Sequence, residues 1–331
     1  MSTFNTNVAP ERTSGSHVLP APLRSLGRRL LHKWPYLNYL YGASWKKLSE
    51  GLAAPSVTSY LMGGCANQIF QYATGLALAR RLSVDLQLDV SWFETATPKT
   101  PRLYSMGLFK GVDARVVHRM LGKIIREEGL SYQPALLENA PRKSSLVGYW
   151  QCEKYFFGLR NELKEHLLPG EPLPVKSIAT QRAILDAGER SVYVTVRRTD
   201  YVGNPHHVLL PMEYYREAAA LIAARVPDPI FFVFSDDPVW CEANFKLPYL
   251  TTIAGNFDRT VEHHLGREDA ELYLMRLCAH AIMANSSYSW WGAWLGADMN
   301  GGIVIAPKTW YGPAFDNYDP RDTLPARWTR L

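Results

Sequence analysis

Cysteine is scarce in this 331-residue chain, and its four cysteines, Cys65, Cys152, Cys241 and Cys278, are scattered without CxxC spacing. Neither a zinc site nor a disulfide framework is indicated, and a reducing cytoplasm is the expected setting. No apolar run approaches the ~20 residues that a membrane helix needs. A secretory signal of basic, apolar and small-residue blocks is missing as well. So are an internal repeat and the dinucleotide pattern of three spaced glycines. Excess charge is missing from most of the chain. The net charge of +5 is accounted for by residues 1–50, where Arg12, Arg24, Arg28, Arg29, Lys33, Lys46 and Lys47 face only Glu11 and Glu50. The remainder is electrically balanced, which argues against a nucleic-acid-binding body, since that needs a basic stripe on the fold itself.

What is present is a globular composition, 47% apolar with mean hydropathy −0.17, in a length that suits two domains. Residues 1–50 read as a basic, partly disordered extension. Within it, residues 23–45 interleave Arg24, Arg28, Arg29 and Lys33 with leucines, tyrosines and Trp34. Such a segment either packs against the body or a partner subunit, or rests peripherally on the anionic inner membrane. The proline-bearing stretch Glu171 to Lys176 is the linker candidate, dividing an N-terminal lobe, 51–172, from a C-terminal lobe, 173–331.

Residues 56–62 read as a strand, Gly63-Gly64 as a turn, and Asn67 to Leu82 as a helix by its apolar spacing. Paired glycines allow close backbone approach at a helix N-terminus, and Asn67 and Gln68 offer amide groups there for a sugar. Val84 to Asp89 is the next strand, while Ser91 to Lys143 has no assignable pattern. In the stretch 144–156, Tyr149 and Trp150 beside Gln151, Glu153 and Lys154 suit either a saccharide ring or an aromatic core.

The second half repeats the alternation. A helix near Ser177 to Ala187 leads to a strand, Val192 to Val196, that ends in Arg197-Arg198-Thr199-Asp200. Ligands of open α/β sheets sit beyond the carboxyl ends of strands, and guanidinium forks match a diphosphate. Asp200 either pairs with one arginine as a structural ion pair only, or orients that arginine while the other meets the phosphate. A helix over Pro211 to Ala224 precedes the strand Ile230 to Phe234, which ends in Ser235-Asp236-Asp237. Those carboxylates either accept from a guanine or ribose, or cap the helix that begins near Pro238. Glu271 to Leu295 then passes from an apolar helix or helix-to-strand segment into Asn285-Ser286-Ser287-Tyr288-Ser289, directly before Trp290-Trp291. If Ser289 or a neighbour caps a helix through Leu295, its exposed N–H groups form an anion cradle. A late strand follows at Ile303 to Ile305. The expected fold is α/β, with two similar lobes facing a cleft.

Together these stretches resemble the bacterial α-1,2-fucosyltransferase family. Gly63 to Ala73 is similar to GGLGNQMFQYA, with Cys65 and Ala66 departing from it, and 148–156 to GYxQxEKYF. Thr195 to Asp200 stands where the family has HxRRxD, with Thr195 in place of His. Phe234 to Asp237 matches FSDD, and 284–293 the longest signature. The resemblance covers about residues 57 to 311.

It implies a two-lobed, Rossmann-like GT-B fold and inverting, metal-independent transfer of L-fucose from GDP-fucose to the 2-hydroxyl of a terminal β-galactoside. No cofactor is implied, and no DxD triplet is present to bridge a metal to a diphosphate. By motif match, Arg198 meets the β-phosphate and Arg197 assists or is structural. Asp236, Asp237, Asn285, Ser286 and Ser287 join them on the GDP-fucose side, with Asn67, Gln68, Trp150, Gln151 and Glu153 on the acceptor side. Asp200 is placed with Arg198 as catalytic, although Asp237, Glu153 and Glu271 are equally open as bases, and Thr195 cannot act as one near neutral pH. The rival readings are an α-1,6- or other fucosyltransferase, an inactive saccharide-binding protein, and a scaffold working through residues 23–45.

Overall fold

In a computed structural model, residues 54–95, 102–254, 267–315 and 320–331 are described. The basic extension and its 23–45 segment lie outside the described residues.

The first lobe grows from strand β1 (Ser56–Tyr60), almost wholly buried. The chain turns at Gly63, whose φ of +76° is left-handed and suits glycine. It then enters helix α1 (Cys65–Leu82) with Gly64 as N-cap. This helix starts earlier than its apolar spacing suggests, because Cys65 and Ala66 are themselves buried. Ser83 ends it in a left-handed conformation, with Arg80 and Arg81 in the last turn, where the helix dipole favours cations. Strand β2 (Asp85–Asp89) and the short helix α2 (Ser91–Thr95) follow. Then come β3 (Arg115–Val117), β4 (Lys123–Arg126), α3 (Ala135–Glu138) and β5 (Ser144–Val147). The five strands form one parallel sheet in the order β3-β2-β1-β5-β4. Thus the stretch without a legible pattern supplies the two edge strands, whose side chains are mostly exposed and carry no core periodicity.

Helices α4 (Arg160–His166) and α5 (Val175–Ala187) lead to the second lobe. It contains β6 (Ser191–Val196), α6 (Met212–Ala223), β7 (Ile230–Ser235), α7 (Pro238–Asn244) and β8 (Thr251–Ile253). After these come α8 (Glu268–Leu277), β9 (His280–Ile282), α9 (Ser287–Leu295), β10 (Val304–Ala306) and β11 (Thr329–Arg330). This sheet is parallel too, in the order β11-β10-β9-β6-β7-β8. Its central strands β6 and β7 are covered on both faces, which is why they read as unbroken β-branched and aromatic runs.

The tryptophan signature joins the lobes. Phe70 of α1 lies 4.7 and 4.8 Å from the rings of Trp290 and Trp291. Phe156 stacks on Trp291 at 5.4 Å and 20°, and Trp291 Nε1–H donates to the Ala66 carbonyl at 3.1 Å. Residues 54–331 accordingly form one compact unit.

Candidate active site

Three elements of the second lobe converge at the carboxyl edge of its sheet. The ends of β6 and β7 and the N-terminus of α9 border a small hollow open to solvent, which α8 also lines through Glu271 and Met275. Thr195, Arg197, Asp236, Glu271, Ser286 and Ser289 are among its walls, all of them from the second lobe. The first lobe reaches this edge through Arg102, which lies 3.4 Å from Asp200.

Asp236 is the keystone, and its role differs from the one expected. It is 5% exposed, accepts from the Arg198 backbone N–H at 2.9 Å and the Thr199 hydroxyl at 2.7 Å, and lies 3.2 Å from the Arg197 guanidinium. With both oxygens occupied, it shapes the arginine loop rather than receiving a nucleoside. Asp237 accepts from the Trp240 N–H at 3.1 Å, capping α7, and its other oxygen sits 3.5 Å from Arg198 Nε.

The two arginines divide the work. Arg197 is ion-paired to Asp200 at 2.6 Å as well as to Asp236, so most of its charge is locally neutralised. Burial alone would lower its pKa, but Asp236 and Asp200 outweigh that and raise it. Arg198 instead sits over the Trp240 ring, 3.7 Å from its centroid. Among the described residues, no hydrogen bond is made by its terminal amino groups, so the fork is available to an anion. Asp200 bridges Arg197 and Arg102. Burial pushes its pKa up, but the two guanidiniums hold it below the usual carboxylate range. A carboxylate so stabilised in its charged form is a weak base, which speaks for an orienting part for Asp200 between the two guanidiniums.

On the α9 side, the cap is Ser286, whose Oγ accepts from the Tyr288 N–H. Ser287 opens the helix, half-buried. Asn285 is only 4% exposed, and its amide donates to the carbonyls of Val208 and Trp310, both at 3.1 Å. Its NH₂ group therefore anchors loops and is not offered to a ligand. Thr195 accepts from the Ala284 N–H at 2.7 Å and bonds the Ser289 hydroxyl. Where the resembling motif has His, this chain has a hydroxyl that joins β6 to the start of α9.

Three of the acceptor-side expectations are corrected. Gln68 is fully buried and spends its amide on the Gly63 and Leu103 carbonyls and the Ser105 N–H. Trp150, with no exposed surface, belongs to the core cluster of Val57, Ile125 and Leu146. Glu153 accepts from Trp294 Nε1–H at 2.7 Å and from Arg327 at 2.6 and 2.7 Å, which pins the two lobes. Asn67 and Gln151 remain half-buried, linked by a Gln151 Nε2–H bond to Asn67 Oδ1 at 2.8 Å.

Sequence reading missed Arg102, Trp240 and His207. Trp240 closely follows FSDD, and His206-His207 sits in the loop after the arginine motif, so both were findable as polar or aromatic groups beside a motif. Arg102 lies in the stretch without a pattern. Among the described residues, no group of three or more His, Cys, Asp or Glu side chains is placed to hold a metal ion. The four cysteines are separate buried thiols. No helix among the described residues is long and apolar enough to cross a membrane.

Comparison with known proteins matches residues 36–331 to Glycosyl transferase family 11. An alpha-1,2-colitosyltransferase of Escherichia coli is 28% identical over 297 residues, covering 83% of this chain and 98% of the relative. The human galactoside alpha-(1,2)-fucosyltransferase 1 is 27% identical over 247 residues, covering 72% of this chain and 65% of the relative. Among solved structures, the NodZ alpha-1,6-fucosyltransferase co-crystallized with GDP aligns with a TM-score of 0.42 at 14% identity, covering 74% and 93% of the two chains.

Proposed function

The chain belongs to glycosyl transferase family 11, and from that premise we propose that it moves L-fucose from GDP-fucose to the 2-hydroxyl of a terminal β-galactoside, with inversion and without a metal. The observation that carries this reading is the guanidinium fork of Arg198, seated on Trp240 with its terminal amino groups making no hydrogen bond among the described residues. In an inverting transfer, negative charge grows on the leaving β-phosphate as the C1–O bond breaks. A fixed fork aimed at that charge lowers the barrier because it needs no reorganisation during the reaction. The N-terminus of α9 adds N–H dipoles on the same edge.

The acceptor would approach from the first lobe, where the linked amides of Asn67 and Gln151 can bond sugar hydroxyls. The two α-1,2 activities printed for relatives favour the 2-hydroxyl. The E. coli relative also supports a second donor, the colitosyl analogue, at the same site.

Incubation with fucosyl and colitosyl donors and a panel of galactose-terminated oligosaccharides, followed by linkage analysis, tests the reading. An α-1,2-linked product is expected, with a rate unchanged by EDTA. Product linked elsewhere, or a rate abolished by EDTA and restored by a divalent ion, overturns the linkage or the metal-free reaction respectively.

A further inference from the structure

The proposed transfer needs a group to take the proton of the attacking hydroxyl, and the nearby carboxylates are otherwise engaged. Asp200 is held by two guanidiniums, Asp236 by the arginine loop, Asp237 by the α7 cap and Glu153 by Arg327 and Trp294. Glu271, 5% exposed, is set into the wall of the hollow, on the donor's side of the reaction.

His207 is differently placed. Its ring lies flat on Tyr201, with centroids 4.1 Å apart and planes within 4°. Tyr201 is itself fixed, donating its hydroxyl to the Asn285 carbonyl at 2.8 Å and lying under Arg197 at 5.4 Å. The loop is pinned by Gly312 N–H to the His206 carbonyl and Ala314 N–H to the Pro205 carbonyl, both 3.0 Å. Stacking occupies a ring face and leaves the edge, with both nitrogens, clear of it. Neither nitrogen makes a hydrogen bond among the described residues.

The charged groups that act on the ring are Asp200 and Arg197 of the arginine motif, His206 beside it, and Arg102 from the first lobe. Through Tyr201, His207 lies one ring away from Arg197, which lines the hollow, and from Asn285 just before α9. Burial lowers its pKa below the ordinary histidine value, Asp200 opposes this, and Arg197, His206 and Arg102 add to it. The imidazole is consequently neutral at pH 7 and able to accept a proton.

Resting on the transferase reading above, we propose that His207 is the general base of this reaction, an imidazole supplied by the loop after the arginine motif, where Thr195 provides none. As the acceptor oxygen bonds to C1, its proton passes to a ring nitrogen of His207. The C1–O bond to the β-phosphate breaks with its electron pair leaving on GDP. The imidazolium then returns the proton to water.

Three variants test this: His207→Gln, His207→Phe, which keeps the stack on Tyr201, and His207→Ala. kcat is followed from pH 5 to 9, with GDP affinity measured by calorimetry. The Gln and Phe variants should both lose about 100-fold in kcat, in line with general-base contributions. They should also lose the acidic limb of the profile and bind GDP within twofold of the parent. Added imidazole should raise the rate of the Ala variant. A loss smaller than tenfold, an acidic limb that persists, or GDP affinity lost together with activity overturns the role. A parent protein that neither binds GDP nor turns over any acceptor overturns the transferase reading instead, which the control separates from a failure of the variant alone.

Discussion

At the scale of single residues, the two adjacent arginines show how little a motif says about roles. Arg197 and Arg198 are equivalent in the sequence, yet one is clamped between carboxylates and the other lies on a tryptophan, its terminal amino groups making no hydrogen bond among the described residues. The same ambiguity covers Asp236, because a strand-end carboxylate looks alike whether it clamps a guanidinium or receives a ribose. The motif could therefore be located in advance, but the partners that assign its duties lie in other elements. Two outcomes follow from the assignment. Arg198→Lys keeps the charge but loses the planar fork, and kcat should drop by about 10²- to 10³-fold, read from initial rates at saturating donor. Activity within threefold of the parent would remove Arg198 from the diphosphate. Asp236→Asn leaves the buried Arg197 short of one counter-charge, a change that costs about 3–5 kcal/mol when such a pair is broken. It should lower the thermal midpoint and weaken GDP binding together. Loss of binding with unchanged stability would instead make Asp236 a direct ligand.

At the scale of elements, what could be read from the chain is what the core imposes. The strands β1, β2, β6 and β7 and the helices α1 and α6 were legible because burial fixes their apolar runs and spacing. The edge strands β3 and β4 were not, since they expose Val116 and Ile124 at 42% and 44% and take their conformation from pairing with neighbours.

One polar joint between elements gives a pH dependence. His280 on β9 accepts from the Ile303 N–H at 3.0 Å with Nδ1, so Nε2 carries the hydrogen and donates to the Glu189 carbonyl at 3.0 Å. The neutral ring satisfies both partners, and a second proton would face the Ile303 N–H. Burial lowers its pKa, and the Glu189 carbonyl and carboxylate oppose this without reversing it. With the folded pKa depressed, the unfolded chain binds the proton first as pH falls. Stability is thus complete above about 6.5 and is lost as pH drops from there through the folded value. His207, lowered as well, adds the same sign. Denaturant unfolding at pH 7.5 and 5.0 should show lower stability at the acid value, and His280→Gln should shrink that difference. An equal difference in both proteins would remove His280 as its source.

At the scale of the whole molecule, the question is whether two lobes imply two folding units and a hinge. Each has its own parallel sheet, but Phe70 and Phe156 from the first side pack among Trp290, Trp291 and Trp294 from the second. The charge cluster of Glu153, Arg327, Asp298 and Arg160 ties the same seam. Of the rings that looked suited to a saccharide, Trp150 is thus core of the first lobe and Tyr149 is exposed, while the mortar between lobes comes from Phe70, Phe156 and the three tryptophans. An apolar seam of this kind favours cooperative unfolding, because neither lobe can separate without exposing the other's aromatic face to water. Calorimetry should accordingly give one transition for the folded body. Phe70→Ala removes a ring that is 1% exposed and should cost about 3–5 kcal/mol, moving that single midpoint down. If the variant, or the parent, shows two resolved transitions, the lobes are independent, and substrate closure could then operate by rotating one against the other. If one transition persists, the movement that admits the donor must come from the loops at the carboxyl edge of the second sheet, where Arg102 meets Asp200.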